Sequence, residues 1–299
     1  MAYKKPQVVA KAAMFRKTTM ASLAALAMSA VCMADGALTY SDSLRQKAES
    51  GDATAQSNLA RCYDEGLGVK KDAVEAHKWF LKAAEQNDGY ALYSVGWNYA
   101  NGVGGVKKDI IEAAKWYRKS AERDDAGAQM KLGNCYWNGN GVEQNKAEAI
   151  KWYTKSAENG NINAQKMLGF KYYSGEGVRK DMAEAAKWFR KAAERDDVNA
   201  QSILGCCYCL KGGDFVEAVK WFRKAAEKGE ERAQYMLGMS YFEGKGVSEN
   251  VEEAFKWLSK SAKQGCKEAK EALKKPEFQF ISAFRNADDM EDERCACRN

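Results

Sequence analysis

Proline and histidine are almost absent from this 299-residue sequence, which has two prolines, Pro6 and Pro276, and one histidine, His77. Because a proline inside a helix removes a hydrogen bond and clashes with the preceding turn, nothing between the two prolines forces a helix to break. A lone histidine excludes the histidine clusters of many zinc enzymes. We expect His77 to be a solvated side chain on a helix surface, and the sequence indicates no catalytic residue, metal ligand or cofactor.

Long hydrophobic runs are also scarce, and the clearest one lies near the N-terminus. A basic stretch precedes an apolar run from Met20 to Ala34, which is too short for a bilayer span of about 20 residues. Cys32 and Ala34 are small residues at the −3 and −1 positions of a cleavage site. We predict a signal peptide at 1–34 and an exported protein, periplasmic or secreted, without stable membrane insertion after cleavage. An uncleaved interfacial helix is the alternative.

A strong excess of one charge is missing once this leader is set aside. The chain has a net charge of +6, but residues 1–34 contain five of the 47 basic residues and none of the 41 acidic residues. The remainder is therefore close to neutral, at about +1. Such a chain lacks the basic surface that binds phosphate backbones, so no nucleic-acid partner is predicted.

Internal repetition, by contrast, is abundant. Six of the eight tryptophans recur at intervals of 33 to 37 residues: Trp79, Trp116, Trp152, Trp188, Trp221 and Trp257. An alanine followed by a second recurring residue, most often glutamine, keeps the same intervals: Ala55-Gln56, Ala91-Leu92, Ala128-Gln129, Ala164-Gln165, Ala200-Gln201, Ala233-Gln234 and Ala269-Lys270. Two independent markers with one period indicate a repeat architecture.

The fourth unit shows what one repeat contains. Apolar residues four apart, including Leu168, form one stripe of a first helix, and Gly169 leaves room there for a neighbouring helix. The glycine-rich turn at 175–178 ends this helix, because glycine accepts the positive φ that a short helix–helix turn needs. Asp181 is then a candidate N-cap for a second helix that contains Trp188. The unit is therefore predicted to be a helix–turn–helix.

These units predict the organisation of the whole chain. The fold class is an all-α, right-handed α-solenoid of six two-helix repeats with half-repeat caps. The expected segments are a signal peptide at 1–34, an N-terminal cap at 35–51, six repeats within 52–265, a C-terminal cap helix at 266–275 and a mobile acidic tail at 276–299. The six repeats are placed at 52–87, 88–124, 125–160, 161–196, 197–229 and 230–265.

Paired charges accompany each of the six recurring tryptophans. A glutamate lies three residues before the first of two recurring lysines: Glu75 and Lys78, Glu112 and Lys115, Glu148 and Lys151, Glu184 and Lys187, Glu217 and Lys220, Glu253 and Lys256. In five units a second glutamate follows the second lysine by three residues. Both spacings predict intrahelical ion pairs on a solvated face, each worth about 0.2–0.5 kcal/mol.

The repeating pattern A-x-x-x-L-G-x-x-Y, G-x-G-V, D and E-A-x-K-W-F/Y-x-K-A-A resembles the Sel-one-like repeat family, which is related to the tetratricopeptide repeat. In the third unit it runs from Ala128 to Ala157, and the resemblance covers roughly residues 44–273. Ala60 replaces a glycine, and the fifth unit is shortened at 211–214. The resemblance implies an α-solenoid adaptor that binds proteins or peptides and has no catalytic residues.

A second stripe on each first helix varies between units and is rich in aromatic residues and methionine, which are enriched where proteins bind. We predict that it lines a concave surface and binds a protein or peptide. The predicted contacts are Tyr93, Trp97, Met130, Trp137, Phe170, Tyr173, Tyr235, Met239 and Phe242. The alternative is that this stripe packs against the neighbouring repeat as additional core.

Nine cysteines raise one further alternative, because some cysteine-rich relatives of these repeats are described as β-lactamase-like hydrolases. The Ser-x-x-Lys arrangement of serine β-lactamases does not occur in the sequence, and a zinc-type site lacks histidines. We therefore predict that the protein is not an enzyme. The pairing of the eight cysteines that follow residue 34 stays open, as do the partner and the oligomeric state.

Overall fold

A computed structural model describes residues 38–281 of the chain. These residues form fourteen named α-helices, followed by a further helical segment at 276–281, and contain no β-strand. They divide into two compact units, with the boundary between Lys108 and Asp109. The predicted signal peptide and the acidic run at 288–293 lie outside the described residues.

The unit that ends at Lys108 contains four helices: α1 (Asp42–Glu49), α2 (Ala53–Glu65), α3 (Ala73–Glu85) and α4 (Gly89–Asn101). The unit that begins at Asp109 contains ten: α5 (Ile110–Ala121), α6 (Ala126–Asn138), α7 (Lys146–Glu158), α8 (Ile162–Ser174), α9 (Met182–Glu194), α10 (Val198–Gly212), α11 (Phe215–Glu227), α12 (Glu231–Glu243), α13 (Val251–Gln264) and α14 (Lys267–Ala272). Even-numbered helices from α2 to α12 are the first helices of the six repeats. The predicted all-α solenoid of two-helix repeats is confirmed.

Helix boundaries follow from capping side chains and turn glycines. Asp181, the N-cap predicted from the sequence, accepts hydrogen bonds from the backbone N–H groups of Ala183 and Glu184, at 2.8 and 3.0 Å. These bonds satisfy donors that have no partner inside α9. Gly175 ends α8 in the left-handed conformation, with φ of +77°. The predicted turn chemistry is confirmed at both positions.

Helix pairs approach closely at the glycine that follows the buried leucine of the first helix. A Cβ atom added at Gly169 would lie 2.7 Å from Cζ of Phe189, which is fully buried on the second helix of the same repeat. The same approach joins Gly133 to Tyr153, Gly205 to Phe222 and Gly238 to Leu258. The missing side chain therefore makes room for a large residue of the partner helix, which supplies the buried core of the repeat.

A buried hydrogen bond joins the first helix of a repeat to the helix before it and explains the Ala-Gln marker. The glutamine Nε2 donates to the carbonyl oxygen eight residues earlier, in the last turn of the preceding helix, where that oxygen has no partner within its own helix. The pairs are Gln56 to Ala48, Gln129 to Ala121, Gln165 to Ala157, Gln201 to Ala193 and Gln234 to Ala226, at 3.0 to 3.2 Å. The glutamine thus caps one helix while belonging to the next.

The first set of predicted ion pairs is present in all six repeats, with N–O distances of 2.5 to 3.0 Å. The second set is a correction. Among the described residues, the second lysine of each pair lies over the tryptophan three residues before it, 4.1 to 4.6 Å from the ring centroid, rather than pairing with the later glutamate. In this position the lysine ammonium remains hydrated on the side that faces away from the indole ring, while the aliphatic part of the lysine side chain covers the ring.

His77 is a second correction, because its side chain is only 4% exposed. Its Nδ1 lies 2.9 Å from Nδ2 of Asn98, and its ring meets Tyr99 edge to face at 5.6 Å between centroids. The cover comes from the extra glycine of the second repeat's turn. A Cβ atom at Gly104 would lie 2.6 Å from Cβ of His77, so the backbone passes directly over the histidine. Burial lowers the pKa of His77 from its usual value.

The start of the predicted tail is a third correction, because residues 276–281 are helical and Phe278 is fully buried. Its ring centroid lies 4.9 Å from that of Phe242 and 6.3 Å from that of Phe255. Pro276 is compatible with this turn because a first helical residue needs no N–H group. Phe278 thus covers aromatic residues of the sixth repeat. Residues 282–299 lie outside the described part of the chain.

Candidate functional site

The site is a pocket of about 180 Å³ in the second unit, formed where α8, α10 and α12 meet. Its lining consists of Phe170, Tyr173, Phe189, Ser202, Ile203, Cys206, Cys207, Leu210 and Arg232. Three first helices thus supply most of the wall. Two of the predicted binding residues, Phe170 and Tyr173, are among its members.

The α8 wall presents two aromatic side chains that remain largely accessible. Phe170 is 47% exposed and Tyr173 is 42% exposed, although both rings are large and apolar. Phe170 and Tyr173 are three residues apart on α8 and therefore share one helix face. Phe170 is held by an edge-to-face contact with Phe189, with 5.1 Å between the centroids.

The α10 wall is a stripe of residues four apart, namely Ser202, Cys206 and Leu210. Leu210 is 64% exposed and is absent from the residues predicted as contacts. It was missed because α10 runs to Gly212, two residues longer than most of the other helices, before the shortened turn of the fifth repeat begins at Gly213. That helical extension adds Leu210 to the rim.

The α12 wall contributes the pocket's permanent charge. Arg232 lines the pocket, and no carboxylate does. Within residues 38–281, Arg232 takes part in no salt bridge. Arg232 is absent from the residues predicted as contacts because it lies in the first turn of α12, outside the varying stripe. Its guanidinium is therefore available to an anionic group that enters beside the apolar walls.

The two thiols of the pocket are poor nucleophiles. Burial raises the pKa of Cys206, although Arg232 opposes part of that shift, and burial raises the pKa of Cys207 to about 11. A thiol needs its thiolate form to attack a substrate, and these environments disfavour it. The hydroxyl of Ser202 is also buried and has no hydrogen-bond partner in the structure. Such a lining is suited to binding an apolar group.

Other predicted contacts in this unit are covered to varying degrees by the chain itself. Trp137 is half-buried, with Nζ of Lys171 3.4 Å from its ring centroid and Lys146 at 5.0 Å. Met130 is half-buried in the core around Leu168. Phe242 packs against Phe278 with tilted rings. These side chains lie outside the pocket between α8, α10 and α12.

A second cavity, of about 480 Å³, lies beside α14. Tyr235 and Met239 line it together with Lys267, Glu268, Glu271, Ala272 and Lys275. In the first unit, Trp97 is 41% exposed and Tyr93 is half-buried. The structure thus brings Phe170 and Tyr173 together in one place, and Tyr235 and Met239 in another.

The described residues also bear on cysteine chemistry and on membrane insertion. Six cysteines carry free thiols: Cys62, Cys135, Cys206, Cys207, Cys209 and Cys266. Among residues 38–281, no cluster of histidine, cysteine or acidic side chains has the arrangement of a metal site. In the same residues, every helix falls short of the length and hydropathy that a membrane span requires.

The comparisons with solved structures agree with this architecture. The protective antigen c5321 of uropathogenic Escherichia coli, which displays an SLR fold, is 38% identical with a TM-score of 0.71, over 76% of this chain and 49% of that one. A Sel1 repeat protein from Oxalobacter formigenes is 37% identical with a TM-score of 0.57, over 71% of this chain and 85% of that one.

Sequence relatives lead to the same family. A Sel1-like repeat-containing protein, L18, of Acanthamoeba polyphaga mimivirus is 39% identical over 51 residues, which is 17% of this chain and only 9% of that protein. The family model for the Sel1 repeat matches six consecutive segments: 53–88, 89–125, 126–161, 162–197, 198–230 and 231–266. These segments span most of the chain and coincide with the six helix pairs, and the chain therefore belongs to the Sel1 repeat family.

Proposed function

We propose that this protein is an exported, non-enzymatic scaffold that binds another protein or peptide through its first helices. The observation that carries the proposal is the pocket between α8, α10 and α12, where Phe170, Tyr173 and Leu210 remain exposed together. Exposure of grouped apolar side chains to water is unfavourable, and their burial under a partner contributes favourable binding free energy. Aromatic residues in a semi-enclosed pocket are typical anchors of a binding surface.

The contacts proposed for this function keep Phe170 and Tyr173 at the centre. Leu210 and Arg232 join them at the rim. The remaining contacts proposed from the sequence are Tyr93, Trp97, Met130, Trp137, Tyr235, Met239 and Phe242. Export rests on the leader at 1–34, whose basic, apolar and small-residue segments follow one another in the order of a signal peptide.

Two matched variants test the binding face. Leu210 is 64% exposed on the pocket rim, and Val216 is 58% exposed on α11, outside the pocket lining. Peptides are first selected on the full-length protein from a displayed random library and then measured by fluorescence anisotropy. Leu210→Glu should weaken their binding by about tenfold or more, since it places a charge on an apolar wall. Val216→Glu should leave it unchanged.

Circular dichroism and thermal melts show whether both variants remain folded. Equal effects of the two substitutions on affinity would contradict the proposal, because the bound surface would then not include the pocket. A library that yields no binding peptide would contradict it too.

A further inference from the structure

The pocket between α8, α10 and α12 also carries information about the chemistry of its ligand. We infer that it takes one aromatic side chain of a partner peptide and that Arg232 pairs with a carboxylate on a neighbouring residue of the same peptide. This inference rests on the proposed function and makes it more specific. The occupant is thus an extended peptide segment with an aromatic residue beside an acidic one.

The size and walls of the pocket argue for one aromatic residue. About 180 Å³ is less than the roughly 300–1,000 Å³ typical of small-molecule sites, so the pocket suits a single large side chain. Rings of Phe170 and Tyr173 form one side, and Leu210 with Ile203 forms part of another. An aromatic ring gains offset or edge-to-face contacts with the first wall that an aliphatic side chain cannot make.

The charges around the pocket argue for an acidic neighbour. Arg232 has no salt-bridge partner among the described residues, and no acidic side chain lines the pocket. Glu230, Glu231 and Glu268 line a neighbouring cavity together with Arg232, and the guanidinium interacts electrostatically with Glu268. None of the three forms a salt bridge with Arg232 among the described residues. Glu230 accepts a hydrogen bond from the backbone N–H of Ala233, at 2.5 Å, and Glu268 accepts one from the thiol of Cys266, at 3.4 Å. A guanidinium left in this position matches the planar, bidentate geometry of a carboxylate.

The pocket wall also includes one buried hydroxyl group. Ser202 is only 3% exposed, lines the pocket and has a hydroxyl without a hydrogen-bond partner. A tyrosine combines an aromatic body with a polar tip, and it is therefore the side chain to use in a probe.

The experiment uses full-length protein and labelled ten-residue peptides that differ at two positions in a Gly/Ser background. The probes contain Tyr-Asp, Ala-Asp, Tyr-Asn or Tyr-Lys, and binding is measured by fluorescence anisotropy. We expect the Tyr-Asp peptide to bind at least about tenfold more tightly than each of the others, because only it satisfies both the apolar walls and the guanidinium.

A charge reversal then identifies the residue responsible. Arg232→Glu should remove the preference for Tyr-Asp and make Tyr-Lys the tighter ligand, while Arg179→Glu, the same change at an exposed turn residue outside the pocket lining, should not. Arg232 lies in the first turn of α12, where a glutamate favours the helix, so the variant should fold.

Three results would overturn the inference: no Tyr-Asp binding at millimolar peptide, equal binding of Ala-Asp, or an unchanged preference in Arg232→Glu. In each of these cases, peptides selected from the displayed random library could still bind at the pocket rim that includes Leu210. The failure of this inference is thereby separable from failure of the proposed scaffold function.

Discussion

At the scale of a residue, His77 makes stability depend on pH. Its side chain is enclosed by the turn at Gly104, and its Nε2 has no hydrogen-bond partner. Burial lowers the pKa of His77 in the folded protein. Between the folded and unfolded pKa values, the unfolded chain therefore binds more protons than the folded one. The corresponding stability is complete above the unfolded value, near 6.5, and is lost as the pH falls through the folded value.

We predict that the free energy of unfolding decreases as the pH falls from about 7.5 to about 5.5, a range in which histidine is the main side chain to titrate. His77→Gln removes this titration and keeps an amide that can hydrogen-bond to Asn98. Urea unfolding at several pH values measures both proteins. If the free energy of unfolding of the wild type depends on pH no more steeply than that of His77→Gln, the folded protein does not disfavour the imidazolium form of His77.

At the scale of an element, each repeat depends on contact between its two helices at one glycine. We predict that Gly169→Ala destabilises the protein by about 1–3 kcal/mol, because the new Cβ would lie 2.7 Å from the buried Phe189 ring. Gly212→Ala is the matched control, since a Cβ there meets no atom within 4 Å. Chemical denaturation measures both variants. If Gly169→Ala leaves the free energy of unfolding unchanged or raises it, α8 and α9 can move apart without loss of stability.

The elements themselves could be predicted because periodicity, caps and turn glycines all indicated the same boundaries. The Ala-Gln marker gave the period, and the structure adds its cause, a buried hydrogen bond between repeats. The prediction that His77 is solvated was wrong because the backbone at Gly104 covers its side chain. Gly104 lies in an irregular turn, which helix periodicity does not describe. Burial by a loop is a tertiary property, and one side chain's position on a helix does not reveal it.

The candidate site could be predicted only in part, for similar reasons. Phe170 and Tyr173 stand on a helix face opposite the invariant packing residues, so sequence spacing is sufficient to find them. Leu210 required knowledge of where α10 ends. Arg232 required knowledge that the first turn of α12 meets α8 and α10, which depends on how the repeats stack.

At the scale of the whole molecule, a repeat array is stabilised mainly by contacts between neighbouring elements. The clusters of buried residues in the second unit reflect this, since each contains side chains from successive helices. The last cluster joins α11 to α14 and includes Phe278. The end of the array therefore depends on one short C-terminal segment, and damage there should remain local.

Phe278→Ala tests this locality. The ring is fully buried against Phe242 and Phe255, so its removal should lower the local opening free energy of α12 to α14 by about 3–5 kcal/mol. Native-state hydrogen exchange, resolved by peptide, should show faster exchange in those helices and unchanged exchange in α1 to α3. Phe280→Ala, two residues away and 66% exposed, is the control and should leave α12 to α14 protected. Equal loss of protection along the whole chain would mean that the repeats unfold as one cooperative body, and equal behaviour of the two variants would mean that Phe278 does not hold the end of the array.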